Sequence, residues 1–150
     1  MADYDRLKKQ IEGDILNSSF DRGRYATDAS IYQIMPEAVM VPKTWQDVEA
    51  ALDFAKAEGI SLLPRGGGTS QSGQTVNDAL IIDFTKNLNN ILDYDADAGT
   101  AMVQPGLVLD NLNRQLKSDG WWYPVDVSTA SRATLGGMAA NNSCGSRSIR

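Results

Sequence analysis

Near the N-terminus Leu7, Ile11 and Ile15 recur at helical spacing among alternating charges, which predicts a helix at the start of the chain. No period holds across residues 20–34, and that stretch reads as an irregular connection. The apolar run at 38–41, closed by Pro42, predicts a strand. Thr44 then stands as an N-cap with Asp47 three residues on. Trp45, Val48, Ala51, Leu52 and Ala55 repeat at helical spacing until Gly59 supplies a stop. Residues 60–63 predict a second strand, ended by Pro64. Strand, helix and strand within about thirty residues form a right-handed βαβ unit with a parallel strand pair.

Further on, Leu80-Ile81-Ile82-Asp83 predicts another strand. Residues 91–94 and 100–104 flank Asp95-Ala96-Asp97-Ala98-Gly99 as the two arms of a hairpin. Pro105-Gly106 breaks the chain, and Val108, Leu109, Leu112 and Leu116 mark a helix that ends by Gly120. An aromatic stretch from Trp121 runs into Pro124-Val125-Asp126-Val127-Ser128, and a segment of small residues closes the chain without any internal repeat.

Composition narrows what such a chain does. At 150 residues with 42% apolar positions it has enough to bury a core, so disordered and fibrous classes are excluded. Fourteen basic against nineteen acidic side chains give −5, the wrong sign for a chain that neutralises nucleic-acid phosphate. Histidine is absent and Cys144 is the single cysteine. A Ser-His-Asp triad, an H-E-x-x-H zinc site, a Cys-His pair, an internal disulfide and an all-cysteine metal site are all excluded within these residues. No apolar run approaches the roughly 18 residues of a membrane span, and no signal-peptide core occurs. The expected setting is cytoplasmic.

The most informative stretch follows the second predicted strand: Arg65-Gly66-Gly67-Gly68-Thr69-Ser70-Gln71-Ser72-Gly73-Gln74. Three successive glycines let backbone reach positive φ and approach a ligand without a Cβ in the way. Their N–H groups, with the hydroxyls of Thr69, Ser70 and Ser72, make a donor-rich concavity suited to phosphate oxygens. A Walker A loop needs a Gly-Lys-Ser/Thr ending that is missing. The dinucleotide fingerprint needs glycine at 71, where Gln71 stands. A flexible turn is the plain alternative, and Arg65 suits either pyrophosphate or a carboxylate partner.

A second constellation lies some sixty residues on. Pro124, Asp126 and Ser128 precede Ala133-Thr134-Leu135-Gly136-Gly137-Met138-Ala139-Ala140-Asn141-Asn142, and Ser143-Cys144-Gly145-Ser146 follows. Small side chains there allow close approach to a large flat ligand, and Asn141 and Asn142 have donors for carbonyl or phosphate groups. A small-residue packing seam is the plain alternative.

With these motifs in order, the chain resembles the FAD-binding (PCMH-type) domain of the vanillyl-alcohol oxidase/p-cresol methylhydroxylase superfamily. Within it the likeness is to the FAD-linked D-lactate, glycolate and D-2-hydroxy-acid dehydrogenases. It rests on Arg65-Gly-Gly-Gly-Thr-Ser-x-x-Gly-Gln74, the strand at 80–83, Val103-Gln-Pro-Gly106, Pro124-x-Asp-x-Ser128 and Ala133-Thr-Leu-Gly-Gly-Met-Ala-Ala-Asn141. The resemblance implies an α+β, two-lobed domain with a βαβ-containing first lobe and the start of a second, mixed-sheet lobe. Residues 1–33 would be an N-terminal helix and connecting segment, and 34–150 an FAD-binding domain incomplete at its C-terminus.

By the same resemblance, Gly66, Gly67, Gly68, Thr69 and Ser70 would hold the pyrophosphate, with Arg65, Gln71, Gly73 and Gln74 nearby. Pro105 and Gly106 would lie close to the flavin end. Pro124, Asp126, Ser128, Thr134, Gly136, Gly137, Asn141 and Gly145 would form the second wall. Relatives that attach FAD through histidine carry it where Thr69 stands here, so the FAD expected is not histidyl-linked. The implied activity is oxidation of a D-2-hydroxy acid of the lactate, glycolate or 2-hydroxyglutarate type by hydride transfer to FAD. Catalytic residues and any metal would lie beyond residue 150, and the electron acceptor would be of the kind an iron–sulfur domain or subunit provides. A superfamily oxidase for another alcohol, a non-catalytic FAD- or sugar-nucleotide-binding module, and a purely structural domain are the alternatives.

Three further features read as structural. Cys144 has no cation beside it before Arg147 and suits packing rather than nucleophilic chemistry. Asp93, Asp95 and Asp97 lack the Gly-x5-Glu continuation of a calcium loop and suit a solvated turn. Trp121, Trp122 and Tyr123 suit the core more than a stacking surface.

Overall fold

The computed structural model describes residues 2–146; Met1 and residues 147–150, Arg147 among them, lie outside it. Tyr4–Lys8 (α1) is a five-residue helix whose cap, Asp3, accepts the Arg6 N–H. The helix predicted to include Ile15 ends there. Asp14–Leu16 is instead a strand (β1), and Ser19–Gly23 (α2) is a short helix within the segment expected to be irregular. β1 runs antiparallel to Ala38–Val41 (β2), with Ile15 opposite Met40.

The cause of that early stop is Asp47, which is 2% exposed. Its carboxylate accepts N–H groups from Glu12 (2.9 Å), Gly13 (3.0 Å), Lys43 (2.8 Å) and Thr44 (3.2 Å), drawing residues 12–13 onto the start of the next helix. A Cβ on Gly13 would overlap the Val41 carbonyl, so the approach requires glycine. That next helix is Trp45–Glu58 (α3), opened by the predicted Thr44–Asp47 capping box and closed by Gly59 at φ 68°.

Leu62–Arg65 (β3) lies two residues further on than the expected strand and contains Pro64. The strand order β1-β2-β4-β3, with Leu80–Asp83 as β4, explains this: β3 is an edge strand, where a residue without an N–H is tolerated. The expected direct pairing of the two strands flanking α3 is not found. β4 lies between them, parallel to both, with Leu80 aligned to Ala38 on one side and Leu62 on the other. Tyr4, Leu7, Met40, Phe54 and Leu80 close the core of this lobe. Each large side chain buried here contributes about 1.5–3 kcal/mol.

Ile91–Asp95 (β5) and Thr100–Val103 (β6) form the predicted hairpin, with a register shift between Ile91 and Asp93. Leu109–Leu116 (α4) runs into a single 3-10 turn, and Leu135–Ala140 (α5) is a short helix of small residues. Leu107, Leu112 and Leu116 pack against Ile91, Tyr94 and Val103. Leu109, Ala133 and Met138 form a further cluster with Val125 and Val127. The aromatic run departs from expectation: Trp121, Trp122 and Tyr123 are 45%, 46% and 38% exposed. Trp121 clamps the hairpin turn, donating its indole N–H to the Ala96 carbonyl at 2.8 Å while Gly99 packs under its ring. Among the described residues no helix is long and apolar enough to cross a membrane.

Candidate functional site

Two chain segments face each other across a cavity of about 670 Å³, within the range of cofactor sites. The first wall, residues 63–75, leaves the end of β3. The second, residues 127–144, is carried by α5 and its flanks. Backbone bonds fix α5 against the chain before α4: Leu109 N–H to Ala133 O (3.0 Å), Leu135 N–H to Leu107 O (2.8 Å) and Gly136 N–H to Pro105 O (2.9 Å). Thr134, 2% exposed, caps α5 by accepting the Gly137 N–H at 3.3 Å.

From the sequence-derived set, the cavity brings together Gly66, Gly67, Gly68, Thr69, Ser70, Gln71 and Gln74 on one wall, and Ser128, Thr134, Gly137 and Asn141 on the other. Arg65, Gly73, Pro105, Gly106, Pro124, Asp126, Gly136 and Gly145 are not in its lining. Each of these eight except Pro124 has a structural task visible in the packing. Gly106 lies against the Phe84 carbonyl and Gly136 against Pro105, which keeps α5 close to the 105–108 segment. Gly73 sits over Tyr32, and Gly145 lies on the Asp126 carbonyl. Asp126 also accepts the Ser146 hydroxyl at 3.3 Å. The Arg65 guanidinium donates to three backbone carbonyls.

The glycines of the first wall are needed for a reason the sequence does not display. A Cβ on Gly66 would overlap Thr134 Oγ1, and one on Gly67 would overlap the Arg132 carbonyl. These two glycines let the walls touch at the floor of the cavity, so the small-residue seam and the ligand cradle are the same construction. Met138 and Cys144 also line the cavity. Met138 was legible, since Thr134, Gly137, Met138 and Asn141 follow i, i+3, i+4, i+7, the spacing of one helix face. Cys144 is exposed rather than packed. Asn142, with φ 48°, is the one non-glycine left-handed residue among those described, and it too borders the cavity.

Among the described residues, no side chain lining this cavity is charged. Among the described residues, the N–H groups of Gly67, Gly68 and Thr69 meet no protein acceptor. Behind them the loop is braced by Ser70, whose hydroxyl accepts the Ser72 and Gln74 N–H groups and donates to Gln74 Oε1 at 2.9 Å. Unpaired backbone donors beside small hydroxyl side chains suit an anion held by hydrogen bonds rather than by ion pairs. Val127 and Met138 supply apolar surface for a ring on the opposite wall.

Two sheet-based lobes with a donor-rich cleft of this size define a nucleotide-cofactor-binding domain. The chain belongs to the FAD binding domain family, whose match spans residues 36–150, and FAD is its cofactor. It is 39% identical to D-2-hydroxyglutarate dehydrogenase of Escherichia coli (strain K12) over 140 residues, covering 91% of this chain and 14% of that protein. With glycolate oxidase subunit GlcD of Bacillus subtilis (strain 168) it shares 34% identity, over 89% of this chain and 29% of that protein. The chain thus spans about a seventh of the first relative's length. In fold it is similar to alkyldihydroxyacetonephosphate synthase, with TM-score 0.84 at 23% identity over 95% of this chain and 29% of that one. It is likewise similar to Physcomitrella patens BBE-like 1, with TM-score 0.75 at 22% identity over 91% of this chain and 30% of that one.

The residues present fit the cofactor. The unpaired N–H groups and the hydroxyl of Thr69 suit the pyrophosphate, and the small-residue face of α5 leaves room for a flat ring system.

Proposed function

We propose that this chain is the FAD-binding portion of a flavin-dependent oxidoreductase that oxidises a D-2-hydroxy acid. The observation that carries the reading is the donor-rich cleft between the 66–71 loop and α5, in a chain similar over nine-tenths of its length to a D-2-hydroxyglutarate dehydrogenase. When bound, FAD supplies the hydride-accepting chemistry. The residues here hold it. Backbone N–H groups of Gly67, Gly68 and Thr69 bind the pyrophosphate, aided by the Thr69 hydroxyl, while Ser70 braces the loop through Gln74. Ser128, Thr134 and Asn141 face it from α5 and its approach. Thr69 stands where related proteins carry a flavin-linking histidine, so the cofactor is held without that bond.

Groups that bind substrate and abstract its proton belong, in this reading, outside these 150 residues, as does an onward acceptor such as an iron–sulfur domain or subunit. A cytoplasmic setting completes the proposal. Anaerobic mixing of the intact flavoprotein with D-2-hydroxyglutarate, D-lactate or glycolate tests it. Bleaching of the flavin absorbance by one of them, and not by the L-enantiomers of the chiral acids, is expected. A flavin that none of these acids reduces overturns it.

A further inference from the structure

Arg65 ends β3 immediately before the three glycines. Its Nη1 donates to the carbonyls of Tyr25 at 3.1 Å and Thr75 at 2.9 Å, and its Nη2 to that of Thr27 at 2.8 Å. The guanidinium also lies over the Tyr25 ring, 5.4 Å from its centroid. Tyr25 is fixed in turn: its hydroxyl donates to Asp83 at 2.7 Å, and Asp83 is aligned with Arg65 across β3 and β4. The second Asp83 oxygen accepts the Thr85 N–H and hydroxyl.

Two more ties join the same segments. Asp28 accepts the Thr75 hydroxyl at 2.9 Å and the Thr75 N–H at 3.3 Å, and the Ala29 N–H donates to the Gly68 carbonyl at 3.1 Å. Residues 25–29 are therefore a strap fastened behind the loop at Gly68 and at Thr75, with the Gly68 and Thr75 carbonyls both engaged on the strap side. Burial opposes the charge on Arg65, while Asp28 and Asp83 favour it. Three carbonyls from two chain segments converge on one planar fork, a geometry that a lysine ammonium on a flexible stem does not reproduce.

We propose that Arg65 is a positioning residue for FAD: its guanidinium, clamped on the carbonyls of Tyr25, Thr27 and Thr75, holds the 25–29 strap against the loop, so that residues 66–71 keep the shape that receives the pyrophosphate. It does this without touching the phosphates. The inference rests on the assignment of the loop to the pyrophosphate made above. Without the clamp, the loop samples shapes that cannot bind, and affinity falls in proportion to the competent fraction.

The test uses Arg65→Met and Arg65→Lys in the intact protein, with FAD as the titrant and hydrogen exchange of the 66–75 amides as a local readout. Both variants should weaken FAD binding by about ten-fold or more and speed exchange at 66–75 while β2 and β4 stay protected. The salt dependence of the affinity should keep its wild-type slope, because no ion pair to phosphate is lost. Adding Asp28→Asn to Arg65→Met should weaken binding by less than the two separate effects combined, as for parts of one strap. A flattened salt dependence, or full recovery with lysine, assigns a direct phosphate contact and overturns the proposal. Unchanged affinity does the same.

If Arg65→Met fails to fold, Asp28→Ala, which removes the carboxylate that ties the strap to Thr75 and lies outside the cavity lining, carries the same measurements. In wild type, FAD should protect the 66–71 amides. If it does not, the loop assignment itself fails. If it does and affinity survives the substitutions, only the positioning role fails.

Discussion

Gly67→Ala separates two accounts of the glycine loop. If glycine is there to admit the ligand, a methyl group costs FAD affinity and leaves the apo fold alone. The structure argues otherwise. A Cβ at Gly67 would overlap the Arg132 carbonyl, and that carbonyl belongs to a turn pinned by Arg132 N–H and Ala133 N–H donating to Thr129 O at 2.8 and 2.7 Å. The turn cannot retreat without losing those bonds or lifting Ala133 from its cluster with Leu109 and Met138. Overpacking of this kind costs about 1–3 kcal/mol. At about 2–4 °C per kcal/mol for a domain of this size, the apo melting temperature should fall by roughly 2–12 °C. Gly23→Ala, whose Cβ would have nothing within 4 Å, is the matched control and should leave it unchanged or slightly raised. Thermal unfolding of the apoprotein beside a flavin-fluorescence titration reads both quantities. An apo transition within about 1 °C of wild type, with affinity lost, would refute the wall-contact reasoning.

Other consequences are open to simpler measurements. Asp47→Ala removes the acceptor of four backbone N–H groups and should cost about 3–5 kcal/mol by denaturant unfolding; a loss below 1 kcal/mol, by the same principle about one ordinary hydrogen bond, would show that water replaces it. Burial opposes the Asp47 charge, but the N–H groups of Lys43, Glu12 and Thr44 outweigh it and hold the carboxyl below its usual range. Its contribution is therefore complete above the unfolded value of about 4 and lost as pH falls through the lower folded value, so Asp47→Asn should flatten the acid limb of the stability profile. Acid precipitation of the holoprotein should leave FAD in the supernatant, since Thr69 offers no histidyl attachment; flavin in the pellet would contradict that.

The parts of the fold legible in the sequence are those whose pattern is local. β2, β4, α3 with its capping box, and the hairpin all declare themselves within one short run of neighbouring residues each. What failed to show depends on distant partners. Ile11 and Ile15 keep helical spacing with Leu7, yet a carboxylate more than thirty residues away captures the N–H groups of Glu12 and Gly13 and turns the chain into a strand. Pro64 reads as a strand terminator because nothing local reveals that β3 is an edge; the insertion of β4 between β2 and β3 decides that.

The same division runs through the site. Glycine in a sequence states that a Cβ is excluded, not what excludes it. Of the glycines grouped as cofactor ligands, Gly66 and Gly67 border both the cavity and the opposing wall, while Gly106, Gly136 and Gly145 are occupied wholly by protein backbone or Pro105. Arg65 illustrates the converse for charge. A cation beside a phosphate-shaped loop in a chain of net charge −5 invites an ion pair, but three of the guanidinium's five N–H donors go to backbone carbonyls. With no charged side chain in the lining among the described residues, the donors these residues offer an anion are backbone dipoles and small polar side chains, and the direction of the dipoles is set by how the loop is held from behind. The selectivity of this cleft therefore resides in the packing that fixes residues 66–71, which is why substitutions outside the lining, at Arg65 and Asp28, are expected to govern affinity as strongly as those within it.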